Sequence, residues 1–298
     1  MTEPFSVLLP VYGRDRPEHL ERSLRSVTVE QERPPSQVVI VQDGPVEGTL
    51  AETIEAFRRG SSVHTTIVSL QHNVGLGPAL DEGLAACEYD VVARQDADDI
   101  SLPQRFRVLL PIVEAGADLV GSGLLEFGEH EDDIVGRRTP PTEPDEIARY
   151  ACFADPFNHP SVVYRASAVW AVGGYLDLPL MEDYWLFARM IQQGAIVRNV
   201  AEPLVLYRVG AGAYARRGGL ALLRSEIELQ RRMHESGFTS TPEYLRNLAI
   251  RGGYRLVPEG ARRLAYRRVF GAHVASAARE EGVGILNAQQ YDDWTLRD

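Results

Sequence analysis

Short apolar runs alternate with stretches whose apolar positions recur at helical spacing. Residues 5–10 (FSVLLP), 37–42 (QVVIVQ), 63–70 (VHTTIVSL) and 90–95 (DVVARQ) are brief, rich in Val and Ile, and bounded by turn residues, which predicts strands. Between them residues 17–29, 49–59 and 78–86 have the three-to-four-residue period of helices, as do residues 102–115 after the fourth run. The β-α-β-α beat predicts an α/β fold with a mostly parallel, Rossmann-like sheet and helices on both faces. Further on, residues 118–122, 161–165 and 204–209 predict strands, and 143–153 and 181–193 predict helices around a turn-rich loop at 155–160. From residue 218 the pattern is helical throughout (220–235, 242–248, 259–280), which predicts a C-terminal helical appendage, residues 219–298, on a domain of residues 1–218.

Length and composition narrow the class. A chain of 298 residues can bury one large α/β core with an appendage. At 44% hydrophobic and 24% charged, disordered and fibrous classes are excluded. The net charge of -11, with no basic and aromatic stripe in the first two-thirds, argues against nucleic acid as a partner. Arginines do gather late, at 216, 217, 224, 231, 232, 262, 263, 267 and 268. Solvated helix faces and a dock for anionic lipid or a lipid-linked phosphate are both open readings of them. Cys87 and Cys152 lack metal or redox spacing, which suits a reducing compartment. No basic and apolar leader precedes the first strand, and no run reaches the roughly 20 apolar residues of a spanning helix, which predicts a cytoplasmic protein, with the late arginines as a candidate contact with the inner membrane face.

In parallel sheets ligands bind beyond the carboxyl ends of the strands. There the chain carries residues 11–14 (VYGR), Asp43-Gly44, residues 71–73 (QHN) and Asp96-Ala97-Asp98-Asp99. Three carboxylates in four residues repel one another unless a cation or a donor network neutralises them. Mg²⁺ or Mn²⁺, which take one or two carboxylates and finish their shell on phosphates, suit the place. An acidic turn capping the next helix is the plainer reading. Glu182-Asp183 opens a predicted helix, as a general base or as ordinary partners of the helix dipole. Asp43-Gly44 suits a nucleobase or ribose contact, or a simple turn. Residues 73–77 (NVGLG), with Asn73 and Gly75, loosely resemble a phosphate loop, but no Gly-x-Gly-x-x-Gly follows the first strand, which counts against a nicotinamide dehydrogenase. His159 suits a phosphate or metal contact, or a structural role. Arg208, Arg216 and Arg217 suit a diphosphate clamp.

The ordered series 6–27 (SVLLPVYGRDRPEHLERSLRSV), 38–45 (VVIVQDGP), 73–84 (NVGLGPALDEGL), 92–106 (VARQDADDISLPQRF), 119–127 (LVGSGLLEF), 155–165 (DPFNHPSVVYR), 173–175 (GGY), 182–195 (EDYWLFARMIQQGA), 202–210 (EPLVLYRVG) and 214–220 (YARRGGL) resembles the family 2 glycosyltransferases of the GT-A fold, in particular bacterial exopolysaccharide and capsule enzymes of the amylovoran-biosynthesis type. The resemblance implies nucleotide-sugar binding in residues 1–122 and acceptor binding with catalysis in 123–218. It implies a metal-binding DxD motif with Asp98 nearest a divalent ion and Asp96 and Asp99 assisting, and it makes Arg94 and Ala97 part of the donor site. Asp43 would meet the base, usually uracil, walled by Pro10, Val11, Tyr12 and Arg14. Asp183 would be the catalytic base with Glu182 beside it, and Arg208 would lie over the diphosphate. Many members carry a His shortly after that segment, whereas residues 207–212 read YRVGAG, so His159, or substrate and water, would complete the metal shell. The implied reaction is single displacement with inversion, from a UDP-linked hexose to a saccharide or lipid-linked saccharide. A sugar nucleotidyltransferase and a non-catalytic nucleotide-sugar binding module stand as alternatives.

Overall fold

The computed structural model describes residues 3–209 and 220–256. Its first four strands, β1 (Ser6–Tyr12), β2 (Gln37–Asp43), β3 (His64–Ser69) and β4 (Val91–Arg94), fall on the four apolar runs. They are joined by α1 (Pro17–Val27), α2 (Gly48–Gly60) and α3 (Leu76–Ala85), and all their pairings are parallel, in the order β3-β2-β1-β4. Helix α1 begins on Pro17, where a missing N–H is harmless, with Glu18 in its first turn and Arg25 in its last.

Alternation along β1 sorts its side chains between two cores. Val7, Leu9 and Val11 face α1, α2 and α4 (Arg105–Glu114), meeting Leu20, Leu24, Ile54, Phe106 and Leu109. Leu8 faces α3 and α7 (Glu182–Gln192), with Leu80, Leu84, Leu186 and Phe187. Helices on both faces, as expected, leave the strand ends as the open edge.

The second half of the sheet is mixed. It contains β5 (Ile100–Ser101), β6 (Leu119–Phe127), β7 (Ile134–Arg138), β8 (Val163–Arg165) and β9 (Val197–Arg208), in the order β4-β8-β6-β9-β5 with β7 on β6. Strand β8 runs antiparallel to β4 and β6, while β6 and β9 are parallel. Helices α5 (Pro144–Ala151) and α6 (Ala166–Ala171) flank a short 3₁₀ turn, His159–Ser161. The sequence pattern reads only the last part of β9 and neither β5, β7 nor α6.

Helix α8 (Leu220–Glu235) packs on the outer side of α7, where Leu222, Leu229 and Met233 meet Leu178, Tyr184, Trp185 and Ala188. Helix α9 (Thr241–Asn247) follows, then a π turn at Leu248–Gly252 and a last turn at Gly253–Leu256. The predicted helix at 259–280 and the arginines at 216, 217, 262, 263, 267 and 268 lie outside the described residues. Among the described residues no helix is long and apolar enough to cross a membrane. Arg231 and Arg232 are engaged by Glu228 and Glu235 of their own helix, which favours the solvated-face reading for these two.

Candidate active site

The crevice opens where β1 and β4 part. Their pairing ends at Leu8 and Arg94, with Gln95 N–H donating to the Leu8 carbonyl at 3.0 Å. Two residues on, Pro10 has no N–H to offer on that side of β1. Strand β1 continues on β2 alone as far as Tyr12 and Asp43. Pro10 and Val11 lie inside the sheet, and Val11 packs in the core at 1% exposure. Tyr12, 44% exposed, and the exposed Arg14 stand at the open tip.

Asp43 ends β2, and its carboxylate accepts the N–H groups of Val74 (2.7 Å) and Gly75 (3.1 Å), while Asn73 Nδ2 donates to its carbonyl at 3.3 Å. Two backbone amides of the loosely glycine-rich segment, those of Val74 and Gly75, are thus engaged by Asp43, and the Asn73 side chain is engaged by its carbonyl. Gly44 makes the close turn possible. Its φ is 88°, and a Cβ there would sit 2.7 Å from Asn73 N.

The tip of β4 is bolted from below. Ser23 Oγ donates to the Asp96 carbonyl at 2.7 Å, and Gln95 Nε2 donates to Ser23 Oγ (2.9 Å) and to the Asp99 carbonyl (2.8 Å). Arg105, wholly buried, donates to Gln95 Oε1 at 2.8 Å, Ser101 Oγ at 2.7 Å and the Arg94 carbonyl at 2.7 Å. Burial and then neighbouring Arg94 push the Arg105 guanidinium down to about 9.

On this base the three aspartates separate. Asp96 pairs with the buried Arg94, Nη1 to Oδ2 at 2.5 Å. Asp99 is fully buried, its Oδ1 accepts the Arg208 N–H at 2.9 Å, and its Oδ2 has no hydrogen-bond partner among the described residues, so it stands back from the crevice. Burial, followed by Asp96 and Asp98, holds its carboxyl well above the usual range. Asp98 alone is exposed. It reaches solvent yet is ringed by protein, and that loss of hydration, with Asp96 next, pushes it up to about 6. Arg208 leans over the tip, its Nε 3.1 Å from the Asp98 carbonyl and its guanidinium 4.5 Å from the Phe127 ring centre. Asp15 joins the group. It accepts the Tyr12 N–H at 2.9 Å, and burial, partly offset by that bond and reinforced by Asp98 and Asp96, pushes it up to about 7.

The second acidic group sits at the start of α7. Asp183 Oδ1 accepts the Tyr184 N–H at 2.7 Å, and Oδ2 lies 3.6 Å from His159 Nδ1. The other ring nitrogen of His159 is 3.0 Å from Tyr175 Oη. With Nε2 on Tyr175 and Nδ1 facing Asp183, His159 stands with the second acidic group. Burial, then Arg94, hold it well below the ordinary imidazole range, so it is neutral. Burial raises Asp183, against the Tyr184 N–H and Arg94. Glu182, 6% exposed, is pushed up to about 7 by burial and by Asp183. Gly77 lets α3 approach it closely, since a Cβ there would lie 3.1 Å from Glu182 Cβ. Asp155 completes the group. Its Oδ1 accepts the Phe157 N–H at 3.0 Å, and burial and Asp183 raise it well above the carboxylate range.

Arg94 links the groups. Its charge acts on Asp96 and Asp98 on one side and on His159, Glu182 and Asp183 on the other. Burial works against that charge, but Asp96 keeps it above its ordinary value. At 2% exposure it works from beneath the site, where the sequence reading has it touching the donor.

The structure brings the expected residues Asp96, Asp98 and Arg208 together at one tip and Glu182 and Asp183 at the head of α7, and sets beside them Asp15, Ser23, Arg105, Asp155 and Tyr175, which the sequence reading does not name as site residues. Asp15 and Asp155 stand inside quoted motifs (VYGRD, DPFNHP) and were visible as acids beside strand ends. Ser23 and Arg105 had no local signal. Arg216 and Arg217 lie outside the described residues. Among the described residues no three His, Cys, Asp or Glu side chains converge to hold a metal ion. What the tip does offer is an exposed carboxylate, Asp98, beside the part-exposed Asp96, which fits a hard cation that takes one or two carboxylates.

Acids at the tip of β4 and at the head of α7, on a sheet of this order, define a glycosyltransferase of the GT-A fold. Residues 6–172 match the family described as Glycosyl transferase family 2, and the chain belongs to that family. It is 35% identical, over 89% of its length and 98% of the relative's, to the amylovoran biosynthesis glycosyltransferase AmsE of Erwinia amylovora. It is 32% identical, over 90% of its length and 97% of the relative's, to an Escherichia coli UDP-Gal:alpha-D-GlcNAc-diphosphoundecaprenol beta-1,3-galactosyltransferase. Its fold is like that of the mannosyltransferase PcManGT of Pyrobaculum calidifontis, solved with GDP-Man and Mn²⁺, at TM-score 0.59 and 15% identity over 93% of this chain and 80% of that one.

Proposed function

We propose that the protein is an inverting hexosyltransferase that moves a sugar from a UDP-linked donor to a hydroxyl of a lipid-linked saccharide, in exopolysaccharide, capsule or cell-wall glycan synthesis. The observation that carries this reading is the pairing, across buried Arg94, of the exposed carboxylate of Asp98 with the raised carboxylate of Asp183. The E. coli relative, named for a uridine donor and a lipid-linked acceptor, supports both choices.

A divalent cation held on Asp98, with Asp96 in reach, would supply positive charge to the departing diphosphate. Arg208 is set to meet the same diphosphate from the β9 side, and Tyr12 and Arg14 to flank the uracil. As the acceptor oxygen bonds to the anomeric carbon from the opposite face, the carbon–oxygen bond to the diphosphate breaks and its electron pair leaves with the nucleotide. The hydroxyl proton passes to Asp183 Oδ2, the oxygen not engaged by Tyr184 N–H. A carboxylate whose affinity for protons is raised is the better acceptor, provided it is ionised at working pH.

Thermal shift tests this with UDP-galactose, UDP-glucose, UDP-GlcNAc and GDP-mannose, with and without Mn²⁺, since a true ligand stabilises in proportion to its occupancy. One UDP-sugar is expected to shift the melting temperature in a chelator-sensitive way and then to be transferred to α-GlcNAc diphosphate bearing an alkyl tail. A response to GDP-mannose alone would overturn the uridine donor. Donor hydrolysis without transfer to any saccharide would overturn the reaction.

A further inference from the structure

We propose that Arg251, in the C-terminal helical region, is a positioning residue for the acceptor side of the site, clamping the loop that bears Asp155 and His159 against the helix that bears Asp183. The inference rests on the reading of Asp183 as the base. Three successive carbonyls at the end of α5 lead into that loop, and each is taken by a side chain from elsewhere. Tyr184 Oη donates to Ala151 at 2.7 Å, Asn247 Nδ2 to Cys152 at 2.8 Å, and Arg251 Nη1 to Phe153 at 2.9 Å. Helix ends leave such carbonyls without intrahelical partners, so whatever caps them sets the exit path of the chain.

Arg251 is the member that reaches both sides. Beyond Phe153, its guanidinium lies 5.5 Å from the ring centre of Tyr184, whose N–H holds Asp183 Oδ1. Its remaining nitrogens form a fork on Glu226 of α8, Nε to Oε1 at 2.6 Å and Nη2 to Oε2 at 3.0 Å. Glu226 is fully buried and takes a further bond from Arg255 at 3.0 Å. A buried ion pair of this kind adds little net stability over apolar packing but fixes orientation. Here it is placed two residues before Asp155 and against the residue after Asp183. The charge of Arg251 also acts on Asp155 and holds down its affinity for protons. The C-terminal helices, an appendage by sequence, thereby complete the acceptor side.

The test compares full-length wild type, R251M, R251K and E226Q, measuring kcat, acceptor KM, UDP-galactose affinity and melting temperature, with D183N in parallel. Small misplacements of reacting groups cost up to about a hundredfold, so R251M is expected to lose about tenfold or more in kcat. Its donor affinity should stay within about twofold, and R251K, which keeps the charge and one donor, should recover a substantial part of the loss. Should R251M fail to fold, E226Q carries the test, with a smaller kcat loss and unchanged donor affinity. The inference is overturned if kcat is unaffected, if donor affinity falls in step with kcat, or if R251K is no better than R251M. Turnover retained by D183N would sink the base assignment instead, whatever Arg251 does.

Discussion

At the tip of β4 the acids are met by arginines. Arg94 pairs with Asp96, Arg105 lies beneath, and Arg208 gives its N–H to Asp99, leaving Asp98 exposed. At the head of α7 the acids are met by a neutral imidazole and by one another, with Arg94 acting from below and Arg251 from behind. Burial raises the proton affinity of acids in both groups, so the difference lies in access and partners. The first arrangement leaves one aspartate open to solvent among arginines, which suits a site that takes up a cation, and the second encloses its acids beside a neutral imidazole, which suits a site that must accept a proton. The same residue type serves two purposes because its neighbours differ.

The comparison breaks most decisively on Asp183→Asn. Turnover should fall by about 10²–10⁴, the usual contribution of a general base, while donor affinity measured by calorimetry stays within about twofold. Asp98→Asn should do the reverse. Donor affinity should fall about tenfold or more and lose its Mn²⁺ dependence, since the carboxylate charge is gone and one of its oxygens is replaced by an amide nitrogen that cannot ligate the ion. If both variants lost the same parameter, the two acidic groups would not be doing different jobs. Gly44→Ala should cost about 2 kcal/mol by denaturant unfolding, because the residue must keep positive φ against Asn73; no change in the midpoint would show the turn to be slack. The smallest effect is on pH dependence. Asp15, Asp98 and Glu182 bind protons more tightly folded than unfolded, at about 7, 6 and 7. Their contribution to ligand-free stability is full below about pH 4 and is lost as pH rises toward about 7. Melting temperature should show this slope, and Asp98→Asn should flatten part of it; a contribution growing toward neutral pH would contradict the shifts.

Strands β1, β2 and β4 were legible because they are buried on both faces and apolar along most of their length, whereas β3, at the edge of the sheet and half-buried, shows as a β-branched run. The first half of β9, reading VRNVAEP, hides because it pairs with β6 across irregular register at Ser122 and Gly123 and carries polar residues outward. Strand β7 is half-buried along its whole length, and β5 has two residues, so neither has a period to read. In the site, acids crowded together at the end of a strand or the head of a helix announced themselves, as Asp96-Ala97-Asp98-Asp99 and Glu182-Asp183 did. The division of labour among Asp96, Asp98 and Asp99 did not, because it depends on which arginine lies beneath each. Asp155 and Arg251 are 96 residues apart in sequence, and only packing of α8 and its successors on α7 brings their charges within reach.

A central strand is normally paired along both margins, and where a neighbour ends early its free donors and acceptors can recruit another strand. In β1 the imino ring of Pro10 ends that possibility on one margin at the point where β4 turns away. A peptide from another chain, or a shifted register of β4 itself, would find the next donor of the ladder missing from the covalent structure. A single residue thus works against closure of the crevice mouth by strand pairing.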